Sequence, residues 1–282
     1  MAHPIDRRRD YRSQSAMEYL MTYGWAILII AVVLSVLFQL GVFSSGNFQP
    51  HAQAGACQVS RTAAGVSLEG QCNGLLPQFV ASDTGSGYIT TSLSSIPTTA
   101  VTLTAWVKTS SQDVGVVYIG NSLDTYGLLI YTGGEIYYDS QSGHDCSWSS
   151  LSADDNSWHF VALVIQSTEV TPYMDERTAS PCGMAIQLQS DNVLIGARIA
   201  PNYYFNGNIA NVQIYNTTLS PAEINALYLE GIGGAPIRPQ NIVGWWPLNG
   251  NANDYSGNGN NGQITSGGVD YISSWESGYT AP

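Results

Sequence analysis

Charge is what this sequence has least of: Asp, Glu, Lys and Arg together make up 11% of its 282 residues, against roughly 25% in an ordinary soluble domain. Lysine is nearly absent, with Lys108 alone, and the formal net charge is −12. That balance excludes the basic stripe with which proteins hold phosphate backbones, so no nucleic-acid partner is expected. The four cysteines form no Cys-x-x-Cys pair and no histidines stand near them at zinc-ligand spacing, which removes the common structural zinc sites. There is no Gly-x-Ser-x-Gly elbow, and no Glu-x-Asp-x-Glu or Glu-x-Asp-x-x-Glu string to set two carboxyl groups on one strand face. Asp175 and Glu176 are adjacent, so on a strand they would face opposite ways. His144 with Asp145, and His159 after Trp158, are the remaining acid–base candidates; a structural role is preferred for His159. The chain is expected not to be an enzyme.

Apolar residues and hydroxyls are plentiful. The sequence is 44% hydrophobic, enough for a sizeable core, and its polarity rests on Ser, Thr, Asn, Gln, Gly and 17 tyrosines. Such a surface keeps its polarity when carboxylates protonate, so it would suit an acidic medium. Cys57, Cys72, Cys146 and Cys182 allow three disulfide connectivities; local pairing, Cys57–Cys72 and Cys146–Cys182, is the expectation, with free buried thiols as the alternative.

The amino-terminal stretch is organised differently from the rest. Arg7, Arg8, Arg9 and Arg12 form a basic cluster, and after Glu18 no charged residue of either sign appears until Arg61. Tyr19 to Phe43 spans 25 residues, long enough as a helix to cross a bilayer that needs about 20. The arginines would keep this end in the cytoplasm and send the remainder outward. Glu18 at the edge of an apolar helix is costly unless it lies at the interface or meets a partner.

The string QSAMEYLMTYGWAILII, behind its basic run, resembles the class III signal peptides of archaeal type IV pilin-like proteins. The resemblance implies cleavage by a prepilin peptidase between Ser13 and Gln14, leaving the helix in the product. Residues 1–13 would then be a leader, 14–48 a pilin-type hydrophobic helix, and 49–56 a linker. It also implies that Glu18 neutralises the new amino terminus of a neighbour in a homopolymeric filament, where opposite charges in a low-dielectric bundle select one register. Losing Arg7, Arg8, Arg9, Arg12, Asp6 and Asp10 removes a net +2, which takes −12 to −14.

Beyond Cys57 the period becomes two. Val101, Leu103, Ala105 and Val107 alternate with Thr102, Thr104, Trp106 and Lys108, the pattern of a strand with one face buried. Similar short runs separated by Gly-, Ser-, Asn- and Asp-rich turns read as a mainly β sandwich. One helix is signalled, LSPAEINALYLEG, with Ser220 and Glu223 as a capping box, Pro221 at its first position and Gly231 to stop it. The strings VTLTAWVKTS, DDNSWHFVALVIQ, PYMDERTAS, DNVLIGAR and FNGNIANVQIYNTTLSPAEINALY resemble the laminin-G-like jelly rolls of the concanavalin A-like lectin/glucanase fold. The expected fold is therefore one long amino-terminal helix followed by a jelly-roll sandwich over residues 57–282.

The tail WWPLNGNANDYSGNGNNG resembles the opening of such a domain, although here it follows the terminal helix. Residues 244–282 are expected to supply the first strands by folding back on their own sandwich, a circular permutation. Donation to the next subunit of a filament is the alternative, as is the start of a truncated repeat that would leave Trp245 and Trp246 exposed.

Calcium is the one cofactor the resemblance suggests, with Asn249, Asn253 and Asp254 as oxygen ligands, although Asn-Asp-x-Ser-Gly is also what turns require. A carbohydrate partner would stack on exposed aromatics, and Tyr137, Tyr138, Trp148, Tyr203 and Tyr204 are the candidates. Asn216-Thr217-Thr218 is an Asn-x-Thr sequon open to glycosylation. The expectation is a cell-surface, pilin-like filament subunit with a lectin-like head used in adhesion. The alternatives are a structural coat protein without a ligand and a membrane-anchored glycosidase.

Overall fold

The structure, a computed structural model, describes residues 10–39, 51–74, 76–95, 99–120, 125–140, 143, 145–183, 192–198, 203–265 and 267–282. The chain divides into two units, Met1–Gln49 and Pro50–Pro282.

The first unit contains helix α1 (Asp10–Gln39). It holds Ser13, Gln14 and Glu18, whose side chains lie outside the described residues, and its described apolar side chains, from Met21 to Val36, are exposed. The expected membrane-crossing helix is not found: among the described residues no helix is long and apolar enough to cross a membrane.

The head begins with β1 (His51–Ala52), the hairpin β2 (Cys57–Thr62) and β3 (Gly65–Gly70), and β4 (Leu76–Pro77). The Cys57–Cys72 disulfide closes the hairpin, and Arg61 ties it down through the carbonyls of Ser256, Pro239 and Ile242. The body follows as β5 (Val80–Thr84), β6 (Tyr88–Ser92), β7 (Ala100–Thr109), β8 (Val114–Gly120), β9 (Thr125–Ile130), β10 (Glu135–Ser140) and β11 (Cys146–Ser152). Then come β12 (Trp158–Gln166), β13 (Glu169–Met174), β14 (Arg177–Thr178), β15 (Cys182–Gly183), β16 (Asn192–Ile195), β17 (Asn206–Tyr215) and helix α2 (Pro221–Leu229). The tail adds β18 (Ile242–Trp246), β19 (Gln263–Thr265) and β20 (Val269–Ile272).

These strands form two packed sheets, as a mainly β sandwich requires. One has seven strands in the order β11-β10-β9-β8-β16-β6-β19; the other runs β14-β13-β12-β7-β17-β5-β20, with β15 against β13 and β18 against β17. The second disulfide, Cys146–Cys182, links β11 of the first sheet to β15 of the second. Both disulfides therefore follow the local pairing.

The main core lies between the sheets and includes Val101, Leu103, Ala105 and Val107, the inward set of β7. The outward residues depart from expectation. Thr102, Thr104 and Trp106 are also buried, because a second apolar cluster covers this side, with Ile224 and Leu227 of α2 and with Trp245 and Trp275 of the tail. Helix α2 starts as its sequence dictates. Ser220 accepts from the Glu223 N–H, and the Glu223 carboxylate accepts from Ser220 N–H at 2.8 Å.

The tail folds back on its own chain. β18 runs antiparallel to β17, with Val212 opposite Trp246 and Gln213 opposite Trp245, while β19 pairs with β6 and β20 with β5. The two tryptophans face opposite ways, as strand neighbours must. Trp246 enters the inter-sheet core and donates to Asn260 O at 3.0 Å; Trp245 enters the outer cluster and donates to Asn211 Oδ1 at 2.8 Å. Gly244 is required before them, because a Cβ there would stand 2.1 Å from the Trp246 ring. Trp275 completes the outer cover, donating to Pro77 O and accepting at its carbonyl from Trp158 Nε1. Lys108, the single lysine, donates to the carbonyl of Ser277 and pins the end of the chain.

Candidate functional site

The outer face of the seven-stranded sheet carries a different population. β10 reads EIYYDS, and its alternation sends Ile136 and Tyr138 inward while Tyr137 and Asp139 point out. Tyr137 lies opposite Leu129, Asp139 opposite Gly127, and Gly127 opposite Tyr118. A Cβ on Gly127 would meet the Tyr118 ring at 2.7 Å, so this glycine lets the ring lie flat across its strand.

Asp139 is the electrostatic centre of the face. It is 5% exposed, accepts from Tyr118 Oη at 2.8 Å, and is gripped by Arg198 through Nε at 2.6 Å and Nη2 at 3.1 Å. Burial raises its carboxyl above the usual range, an effect that Tyr118 and Arg198 oppose. Arg198 follows β16, keeps part of its side chain exposed, and its guanidinium lies 5.5 Å from the centroid of the Tyr203 ring. Two residues before Asp139, Tyr137 stacks on Tyr131, ring centroids 4.5 Å apart and 28° from parallel. Burial and the neighbouring Asp145 push the Tyr137 phenol up to about 12, so it stays neutral and keeps its proton for the bond to that carboxylate. Tyr204 packs 6.2 Å from Tyr88 at the other flank. Between these pairs Tyr118, Leu129, Leu194 and Ala197 form a small buried cluster.

The expected aromatic platform is thus brought together in part. Tyr137, Tyr203 and Tyr204 belong to this face, and Tyr203 is 40% exposed. Tyr138 does not: at 1% exposure it is core, because it follows Tyr137 on a strand and must face the other way. Trp148 does not either. It packs in the inter-sheet core at 8% exposure and donates to Ser180 O at 2.9 Å. Tyr131, Asp139 and Arg198 were missing from the sequence reading. The alternation of EIYYDS could have pointed to Asp139, whereas its partner lies 59 residues away.

The calcium candidates are engaged elsewhere. Asp254 accepts from Trp245 N–H and Ser256 N–H through Oδ1, and from Ser256 Oγ and Asn260 N–H through Oδ2. Asn249 accepts from Phe79 N–H and donates to Ala52 O, and Asn253 gives its N–H to Asn251. These are turn-building bonds, and among the described residues no group of three or more His, Cys, Asp or Glu can hold a metal ion. The sequon residue Asn216 is exposed, its N–H donating to Asn241 O and its Oδ1 accepting from Asn241 Nδ2.

The acid–base candidates form a clamp. His159 meets Asp175 at 2.8 Å and Asp155 at 3.1 Å, one on each ring nitrogen. Burial disfavours its charge, but the two carboxylates outweigh that and hold its pKa above the usual value. The other Asp175 oxygen accepts from Phe160 N–H, so the cluster fixes a hairpin. His144 lies outside the described residues.

A family model described as the concanavalin A-like lectin/glucanases superfamily matches residues 83–225, just over half of the chain. The chain belongs to that superfamily. No curated protein matches this superfamily member. Among solved structures it is similar to a candidate carbohydrate-binding protein from Bacteroides ovatus, at 15% identity and a TM-score of 0.55. That match covers 74% of this chain and 62% of the other, so the chain spans about three fifths of that relative's length. It is also similar to domains LG4-5 of mouse laminin α1, at 14% identity over 52% of this chain and 45% of that one, with a TM-score of 0.43. The CBM40 of Ruminococcus gnavus IT-sialidase matches at 20% identity, 53% and 95% coverage and a TM-score of 0.42. At 15% identity the likeness to the Bacteroides ovatus structure speaks for the fold alone.

Proposed function

We propose that the head is a glycan-binding module that binds without catalysis, carried on a pilin-like subunit of a cell-surface filament and used in adhesion. The observation that carries the glycan reading is the Tyr131–Tyr137 stack beside the Asp139–Arg198 pair, on an outer sheet face of a lectin-superfamily member. Aromatic faces cover the apolar faces of sugar rings, and planar N–H and carboxylate groups match their hydroxyls. The Bacteroides ovatus relative is described as carbohydrate binding, and that description is extended to this chain as part of the proposal. A glycan array with residues 50–282 tests it: binding lost in Tyr131→Ala supports an adhesin.

A structural filament protein without a ligand is the second reading. Its support is the closed centre of the face, where Tyr118, Leu129 and Leu194 are already buried. A blank array favours it. Release of sugar from polysaccharide would instead make the chain a glycosidase.

The pilin-like part rests on the sequence alone. Prepilin peptidase would cut between Ser13 and Gln14, and Glu18 would neutralise a neighbour's new amino terminus in the filament. The head is read as circularly permuted within its superfamily, with the tail supplying the first strands. Terminal-peptide mass spectrometry of purified filaments should find Gln14 first; an intact Met1 or Ala2 would sink this reading. Glycosylation at Asn216 would appear as a glycopeptide mass.

A further inference from the structure

We infer that this outer-face site takes neutral sugars and discriminates against anionic ones, with Asp139 as the residue that sets the preference. The inference rests on the glycan-binding reading above and adds the class of ligand. Arg198 is the only Arg or Lys among the described residues of that face, and a lone arginine beside tyrosines would ordinarily invite a carboxylate. Here the guanidinium is already matched. Asp139 holds it in two-point contact, 2.6 Å at Nε and 3.1 Å at Nη2, and Tyr118 fixes the carboxylate from behind at 2.8 Å.

Asp145 tips the balance further. It is exposed, accepts from Ser140 N–H at 2.9 Å, and lies close enough to Tyr137 to bond its phenol. Glu135 precedes Tyr137 by two residues on the same face of β10, so the described charges around the stacked tyrosines, Arg198 against Asp139, Asp145 and Glu135, are net negative. A carboxylated or sulfated sugar seated on that stack would meet net negative charge with no free cation to offset it. The whole chain, at −12, adds a repulsive long-range field rather than steering anions in. Like-charge juxtaposition in an interface costs enough to dominate selectivity, whereas hydroxyls of a neutral sugar can donate to the carboxylates and accept from the remaining guanidinium N–H groups.

The test is an array of paired glycans, each acidic member beside its uncharged counterpart, probed with the purified full-length chain. The expected result is binding to neutral members, with acidic partners weaker by at least about tenfold. Equal or tighter binding of acidic members overturns the inference while leaving the glycan reading intact. A blank array overturns the glycan reading itself. Asp139→Asn should then shift the ratio of acidic to neutral binding upward by about tenfold, because Arg198 loses its counter-charge. An unchanged ratio in a folded variant overturns the role of Asp139. If that variant does not fold, the wild-type chain decides through salt. Binding to the neutral members should be flat between low and high ionic strength, and a steep loss with salt would show an ion-paired ligand and overturn the inference.

Discussion

The two outer faces of the sandwich differ in what covers them. The nine-stranded face is sealed by α2, the segment after it and the carboxy-terminal tail, which bury Trp106, Trp245 and Trp275 in one cluster. The seven-stranded face carries tyrosines at its flanks and one ion pair, with only a small apolar cluster between. The first face serves stability and the second offers chemistry, although the two sheets have the same pleat and similar alternation. The difference comes from chain the sequence places late: α2 and the residues beyond it cover one face and leave the other without such a cover.

The largest effect should come from breaking the sealed side. Trp246 bridges tail and inter-sheet core, fully buried and hydrogen-bonded at its indole. Trp246→Ala should cost about 3–5 kcal/mol, read as a fall in melting temperature of the head. Deleting residues 241–282 removes β18, β19, β20 and Trp275 together, and should leave no soluble two-state head. A truncated head that melts cooperatively would mean the sealed face needs no tail, and the contrast between faces would lose its cause.

A smaller effect, on the order of 2 kcal/mol, is expected from pH. Asp83 lies between the sheets, its Oδ1 accepting from the N–H groups of Gly85, Ser86 and Gly87 while its buried Oδ2 has no donor. It faces a small cavity walled by Ile89, Ile195 and Ile209 and, from the tail, by Leu248 and Val269. Burial raises its pKa from 3.8 to about 6, a rise its backbone N–H partners only partly oppose. The folded head thus holds this proton more tightly than the unfolded chain, so stability falls as pH rises from about 4 to 6 and stays lower above it. His159 acts in the same direction, because its raised pKa gives stability that is present below its ordinary 6.5 and lost as pH rises through the folded value. Asp155 and Glu223 oppose both: their lowered pKa values give stability that is lost only in stronger acid. Melting at pH 4.5 and 7.5 should therefore favour pH 4.5, and Asp83→Asn should remove about 2 kcal/mol of the difference. A head that is more stable at pH 7.5 would count against the acid-suited surface inferred from composition.

Legibility followed locality. The capping box of Ser220 and Glu223, the period-two pattern of β7 and the local disulfides were readable because each is set by neighbours in sequence or by a small choice of pairings. The strangeness of the Trp245–Trp246 stretch was readable as well, since two tryptophans before a turn cluster demand a sheet to enter. What could not be read was cover. Nothing local to Thr102, Thr104 and Trp106 says that α2 and the tail will bury the polar side of their strand, so the one-sided reading failed there. Trp148 and Tyr138 looked available for a different reason: which of two neighbouring strand residues faces the space between the sheets is set by register, and both point into that core. Asp254 looked like a ligand until its four donors were in place, since turn and cation call for the same residue type. The Asp139–Arg198 pair joins segments far apart in sequence and is a product of the fold.

The smallest effect on stability should accompany the largest on binding, and it is the sharpest test of the contrast. Tyr131 is 38% exposed, sits beside the Thr132–Gly134 turn and touches the sandwich chiefly through its stack on Tyr137. Tyr131→Ala should change stability by less than about 1 kcal/mol, since little apolar area leaves the core. Binding to a neutral glycan should weaken by about tenfold, because half of the platform is gone and a ring face worth about 1 kcal/mol or more is lost. The matched change on the sealed face, Tyr279→Ala, removes a ring packed against Trp106 and Trp275 and a hydroxyl that accepts from Ile232 N–H. It should lower stability by about 2–4 kcal/mol and leave glycan affinity unchanged. If the two variants instead lose stability and affinity in parallel, the faces do not divide the work, and the exposed tyrosines are packing that happens to reach the surface.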